Sequence, residues 1–188
     1  GTPTDIEYIH LNGGPGLGGS VHTQSANVWD PANNRESNLE IDPTEGVTIE
    51  FWMKKEAFTI SNTEKEVVLD LWNNELSSSN SYGRLRLELT GASGLDSNWL
   101  LTLMSGTTGV QWQSLGNTDL SSLTDGNWHH YAVSFLSQSS GVKTYFYVDG
   151  DLNNEQTVGS AGINEMSGRM NAYIGALQAS PSGSSAPQ

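Results

Sequence analysis

The sequence predicts an all-β, antiparallel fold in a single domain, and three observations carry that prediction. Segment after segment of six to eight residues alternates apolar and polar side chains, the period-two signature of half-buried strands. Clusters of Gly, Asn, Asp and Ser separate these segments at short intervals and supply turns. Beyond one turn near residues 119–124, no stretch shows the 3.6-residue period of a helix.

Taken in order, residues 12–19, NGGPGLGG, are too glycine-rich for regular structure, and the polar run after them, with Asp30-Pro31 and Asn33-Asn34, reads as loop. Alternation begins at VTIEFWMK (47–54), where Val47, Ile49, Phe51 and Met53 share one face and Thr48, Glu50, Trp52 and Lys54 the other. EVVLDLWN (66–73) sets Val67, Leu69 and Leu71 against Val68, Asp70 and Trp72. RLRLELT (84–90) sets Leu85, Leu87 and Leu89 against Arg84, Arg86 and Glu88. WLLTLM (99–104) and VQWQSL (110–115) are joined by Ser-Gly-Thr-Thr-Gly, a hairpin connection. WHHYAVSF (128–135) and KTYFYVDG (143–150) are joined by the polar residues 137–141, and MNAYIGAL (170–177) is the last strand. Short strands separated by turn signals argue for a sandwich or barrel. No βαβ unit or internal repeat appears, so residues 1–178 are taken as one domain and ASPSGSSAPQ (179–188) as a linker-like tail.

Composition narrows the partners. The chain of 188 residues is long enough for a sizeable core, although only 35% of it is hydrophobic. Eight Lys plus Arg against 21 Asp plus Glu give a formal charge of −13, which repels nucleic-acid phosphates and anionic membranes. No apolar run has the length for membrane insertion. Neutral sugars and calcium are compatible with such a surface. With no cysteine, disulfides and thiolate metal sites are excluded.

DGNWHHYAVSF followed by TYFYVDGDLNN resembles the laminin-G-like and pentraxin-like branch of the concanavalin A-like jelly rolls. Those domains carry a W-H-h strand, a strand ending Y-V-D-G and a short strand with I-G. The matching residues are Trp128-His129-His130-Tyr131-Ala132-Val133, Tyr147-Val148-Asp149-Gly150 and Ile174-Gly175, and VTIEFWMK is similar to the family's f-T-i-e-f-W-v-k strand. The resemblance runs from about residue 8 to 177. It implies an all-β, antiparallel two-sheet jelly-roll sandwich. It also implies a non-enzymatic recognition or structural module of a larger extracellular or virion-associated protein, as in bacterial adhesins and tailed-phage structural proteins. Such a module mediates assembly or surface attachment, and its partners are a glycan, another protein, or other copies or domains of the parent. One departure stands out: the family's closing l-x-G-x-i-D-e-v-r strand has no match after Gly175. Either the chain was cut before that strand or another polypeptide supplies it, and without it a sheet edge is open.

Candidate sites follow from residue chemistry. Trp72 with Asn73 and Asn74, where a strand leaves the sheet, is the favoured glycan site, because sugars stack on indole and hydrogen-bond to amides. Trp112 is the second candidate; sharing a face with Val110, it is expected to be buried, and core filling is the commoner role for Trp72, Trp99 and Trp112 alike. No cofactor is required; calcium, in line with the resemblance, is the candidate ion, with Asp149 and Asp151 joined by Asp30 and Asn33 as oxygen ligands. The loops concerned, residues 30–34, 70–75 and 149–155, have no EF-hand spacing, and acidic turns more often only solvate the surface. Asp149 is expected to bond its local backbone in a turn where Gly150 supplies positive φ. Trp128 is expected to cap one end of the core, with one neighbouring histidine buried and the other half-exposed on opposite faces.

A hydrolase reading rests on LEIDPTEGVTIEFW, where Glu40, Asp42 and Glu45 reproduce the E-x-D-x-x-E pattern of laminarinase-type enzymes. Their chemistry needs two carboxylates about 5–5.5 Å apart on one face. Residues five apart point to opposite faces unless a bulge intervenes, and Pro43 removes a ladder donor. The stretch therefore reads as a loop entering a strand.

Overall fold

The computed structural model describes residues 21–24, 41–58, 65–166 and 170–177. Among them, ten strands and one helical turn form two antiparallel sheets. The strands are β1 (Val21–Gln24), β2 (Val47–Lys54), β3 (Lys65–Trp72), β4 (Gly83–Thr90), β5 (Trp99–Ser105), β6 (Thr108–Ser114), β7 (Trp128–Gln138), β8 (Gly141–Val148), β9 (Asp151–Val158) and β10 (Asn171–Ile174). The larger sheet runs β1-β10-β3-β4-β5-β6 and the smaller β2-β7-β8-β9, a two-sheet sandwich.

The helix α1 (Leu120–Leu123) is the expected single turn, started by Asp119, whose Oδ1 accepts from Ser122 N at 2.8 Å and from Ser121 Oγ at 2.9 Å. The core lies between the sheets. Trp99, wholly buried, is its centre, with ring centroids 4.9 Å from Tyr131, 5.8 Å from Phe146 and 5.9 Å from Phe51. Leu85, Leu87, Leu89, Leu101 and Leu103 supply the opposing layer from β4 and β5.

Several expectations change. The connections after β5 and β7 tighten to two-residue turns at 106–107 and 139–140, so β6 and β8 start earlier than the alternation suggested. The acidic stretch 149–155 is not a loop: Asp149 and Gly150, at φ 53° and 89°, form a hairpin turn and Asp151 begins β9. Nor does Asp70 lie in a loop; it sits in β3, wholly buried. β1 is a strand where the polar composition predicts loop. Residues after 177 lie outside the described ones, so the tail and the expected final strand are not placed.

Three bulges decide which faces side chains occupy. Val68 is extra in β3, Asn153 in β9, and in β6 Gln111 and Trp112 stand against Thr102. On the side of the larger sheet turned from the core, the charges are paired. Arg84 binds Asp70 through Nε–Oδ1 at 2.9 Å and a second nitrogen–Oδ2 contact at 2.6 Å, with both side chains buried. Arg86 approaches Glu88 to 2.8 Å, an ion-pair contact without the alignment of a hydrogen bond. Burial raises the Glu88 pKa, opposed by Arg86 and Lys65. Burial alone would lower that of Arg84, but Asp70 raises it.

Candidate functional site

Two surface regions gather side chains capable of recognition. The first is at the sandwich rim, where β7 starts, β8 turns into β9 and α1 ends. His129 bridges two carboxylates there, with Nδ1 at 2.7 Å from Asp149 Oδ2 and Nε2 at 3.2 Å from both oxygens of Asp125. Asp149 Oδ1 accepts from His130 N at 2.9 Å, and Asp149 N donates to His130 O at 2.8 Å. Asp149 thus ties its turn across to β7 rather than to its local backbone.

The hydrogen bond to Asp149 raises the His129 pKa, and its counterpart lowers that of Asp149. Asp125 is lowered chiefly by the Asn127 backbone N–H. Burial, with both carboxylates nearby, pushes the Tyr131 hydroxyl up to about 12. A shallow pocket opens beside this cluster, bordered by Asn117, Ser122 and Asn153, with Asn117 N donating to Asn153 Oδ1 at 2.6 Å.

The second region is the outer face of the smaller sheet. Trp52, 64% exposed, lies with its ring centroid 5.2 Å from that of His130, its cross-strand partner. The next row across the strands is Glu50, Ala132, Tyr147 and Leu152; the one after it is Thr48, Ser134, Tyr145 and Glu155. Along β7 the small Ala132 and Ser134 therefore form a floor between Tyr145 and Tyr147 on one side and Glu50 and Trp52 on the other. Thr48 Oγ1 and Ser134 Oγ are 2.8 Å apart, and the Glu50 side chain is 71% exposed.

Set against these regions, the sequence-based candidates fare unevenly. Trp72 is 3% exposed: its indole N–H donates to Glu75 O at 3.0 Å and the Arg84 guanidinium covers its ring at 5.1 Å, leaving no face for a sugar. Asn73 Oδ1 accepts from Glu75 N and Gly83 N, and its Nδ2 donates to Ser81 O, so the amide holds the loop together. Asn74 is exposed at φ 63°, a position in that same turn. Trp112, expected to be buried, is 40% exposed because the bulge, with Trp112 at φ 50°, breaks the alternation that paired it with Val110. Trp128 is likewise half out in solvent rather than capping the core, and neither His129 nor His130 is buried.

The metal candidates do not assemble. Asp149 has one oxygen on His129 and the other on His130 N, and Asp151 stands exposed at the start of β9. Asp30 and Asn33 lie outside the described residues. Among the described residues no three His, Asp or Glu side chains converge to hold an ion. In the acidic stretch, Asp42 Oδ1 accepts from Thr44 N at 2.9 Å and Thr44 Oγ1 at 2.6 Å, and the Thr44 hydroxyl holds its pKa low. Glu45 ends that turn by donating its N–H to Asp42 O, so neither lies on a strand face; Glu40 lies outside the described residues.

The family is decided by the sequence itself. A laminin-G-type model described as the concanavalin A-like lectin/glucanases superfamily matches residues 24–186. The chain belongs to the concanavalin A-like lectin/glucanase superfamily. No curated protein matches it in sequence. Among solved structures it is similar to domains LG4-5 of the mouse laminin alpha1 chain, at 14% identity and TM-score 0.46, with all of this chain and 42% of that one covered. It is also similar to the Bacillus licheniformis beta-glucanase (15% identity, TM-score 0.38, covering 84% and 65%). Porphyranase B from Zobellia galactanivorans is a third likeness (16%, 0.39, covering 82% and 63%). The chain spans less than two thirds of each of these structures, and at such scores the family assignment rests on the sequence match. Membership of this superfamily supports a binding or structural module. Among the described residues no helix is long and apolar enough to cross a membrane.

Proposed function

We propose that this chain is a non-catalytic recognition module of a larger extracellular or virion-associated protein, attaching that protein to a surface or partner through the outer face of its smaller sheet. The exposure of Trp52 beside His130 carries the reading: a large ring held in place by its neighbour and spare of any core duty. Asp42 is meanwhile engaged in a turn, Asp149 in the His129 bridge and Asp70 in a buried ion pair.

The test is to present the folded domain to immobilised glycans and extracellular proteins, as wild type and as the Trp52→Ala/Tyr147→Ala variant. Binding that the variant loses supports the reading. Binding that the variant keeps moves recognition to another surface, and no binding by the wild type removes it.

A second reading, assembly, is favoured by β2. It is the end strand of its sheet among the described residues, and its inward Val47, Ile49, Phe51 and Met53 are only half-buried where Tyr131, Val133 and Phe135 beside them are sealed. A strand from a neighbouring polypeptide laid along β2 would cover that row and extend the sheet. Photo-crosslinking from a probe at position 50 within the parent assembly would mark such a strand, and crosslinks absent from that edge would dismiss it.

A further inference from the structure

We infer that β2 pairs edge to edge with the β2 of a second copy of this chain, antiparallel about a two-fold axis at Trp52, an inference that rests on the assembly reading above and names its partner. Among the described residues four strands end the sheets: β1 and β6 in the larger, β2 and β9 in the smaller. An end strand invites pairing with another chain, and folded proteins blunt it by shortness, a bulge, proline or charge. β1 has four residues, and bulges at Gln111–Trp112 and at Asn153 interrupt β6 and β9. β2 is long and regular instead. Its eight residues contain no proline and meet β7 in unbroken register from Val47–Phe135 to Lys54–Trp128.

The backbone of β2 is turned the right way for such a partner. Asp149 N donates to His130 O, which faces the His130 peptide toward β8. Alternation in an antiparallel ladder then faces Tyr131 and Val133 toward β2. Across that ladder Phe51 and Ile49 answer them, so the N–H and C=O groups of Glu50, Trp52 and Lys54 point away from β7, toward the edge.

Charge is the one guard that β2 carries, and its spacing selects the partner. Two copies of a chain of formal charge −13 repel at a distance, so attraction has to be local. Read against itself in reverse about Trp52, the strand sets Glu50 opposite the second copy's Lys54 and Lys54 opposite its Glu50. All four side chains lie on the outer face, where Glu50 and Lys54 are exposed. The two Trp52 rings meet at the axis, and on the inner face Phe51 comes opposite Met53, both half-buried in the single chain. Moving the axis to Phe51 puts Glu50 against Trp52 and leaves both charges without a counterpart. Moving it to Glu50 sets like charges together. The pattern is complementary to its own copy in one register.

The experiment measures the dimer dissociation constant of the whole chain by sedimentation equilibrium, for wild type, Glu50→Lys, Lys54→Glu and the double reversal Glu50→Lys/Lys54→Glu. Each single reversal puts like charges opposite each other twice in the dimer and should weaken it about tenfold. The double reversal restores opposite signs at both places and should restore the wild-type constant. Melting temperatures taken below the dimerisation range should be alike, since both positions are exposed.

A dimer indifferent to the single reversals overturns the inference, as does one that the double reversal fails to restore. A wild type that stays monomeric at every concentration, while a probe at position 50 crosslinks to a different polypeptide in the parent assembly, overturns it and leaves the assembly reading standing. A monomer with no crosslink at that edge removes both.

Discussion

The outer faces of the two sheets arise from the same sequence pattern and end in opposite environments. RLRLELT in β4 and VTIEFWMK in β2 each put charged residues on the side away from the core. On β4 those charges, with Asp70 from β3, are at most 4% exposed and held in ion pairs; on β2 Glu50 and Trp52 stand in water. Alternation tells which residues share a face and is silent on what covers that face. The pairing is the distinguishing mark, because a buried charge survives only with a partner, whereas Glu50 needs none.

The sharpest way to break this contrast is to delete one charge on each face. Asp70→Ala leaves Arg84 buried without its carboxylate and should cost ~3–5 kcal/mol. Glu50→Ala on the open face should change stability by less than about 0.5 kcal/mol. Urea denaturation of the two variants measures both, and comparable losses would mean that the faces do not differ as described.

A gentler probe compares tryptophans. Trp72→Ala, inside the charged face, should cost about 3 kcal/mol or more, while Trp52→Ala should leave stability within about 0.5 kcal/mol of wild type. Equal melting temperatures for the two would contradict the burial of Trp72.

The smallest effect concerns the rim between the faces. His129 has its folded pKa raised above 6.5, so its contribution is complete below 6.5 and fades as pH rises through the higher folded value. Asp149 and Asp125 are lowered from 3.8, so theirs is present above 3.8 and fades as pH falls through the lowered values. The bridge is therefore strongest between about pH 4 and 6.5. Thermal melts from acid to alkaline pH should show the gap between wild type and His129→Gln widest in that window and narrowing above it. A constant gap would show that titration of the bridge adds nothing.

Much of the fold was legible. β2 to β5, β7 and β8 announce themselves because one side of each meets an apolar core and the other does not. β9 was missed because its sequence, DLNNEQTV, carries amides where an inward row would be apolar. The structure explains them: Gln156 Nε2 donates to Ser114 O at 2.8 Å, and Asn153 accepts from Asn117 N, so β9 is tied by polar bonds to β6 and the loop that follows it. The sites were far less legible. The bulge at Trp112 leaves no compositional trace, and it turns outward the tryptophan that alternation placed inward. Trp72 shows the converse, since the Arg84 that covers it comes from another strand. Trp52 was in view as an outward residue of β2, but only the register places Ala132 and Tyr147 in the next row of that face.

The unequal burial of the tryptophans also gives the molecule two optical signals. Among the described residues, Trp72 and Trp99 are sealed from solvent, whereas Trp52, Trp112 and Trp128 are open to it. Their fluorescence should divide into a blue-shifted emission that acrylamide cannot reach and a red-shifted emission that it quenches. A ligand over Trp52 would shield part of the second and leave the first untouched. One unlabelled sample would then report occupancy of the face in one wavelength band and integrity of the core in the other.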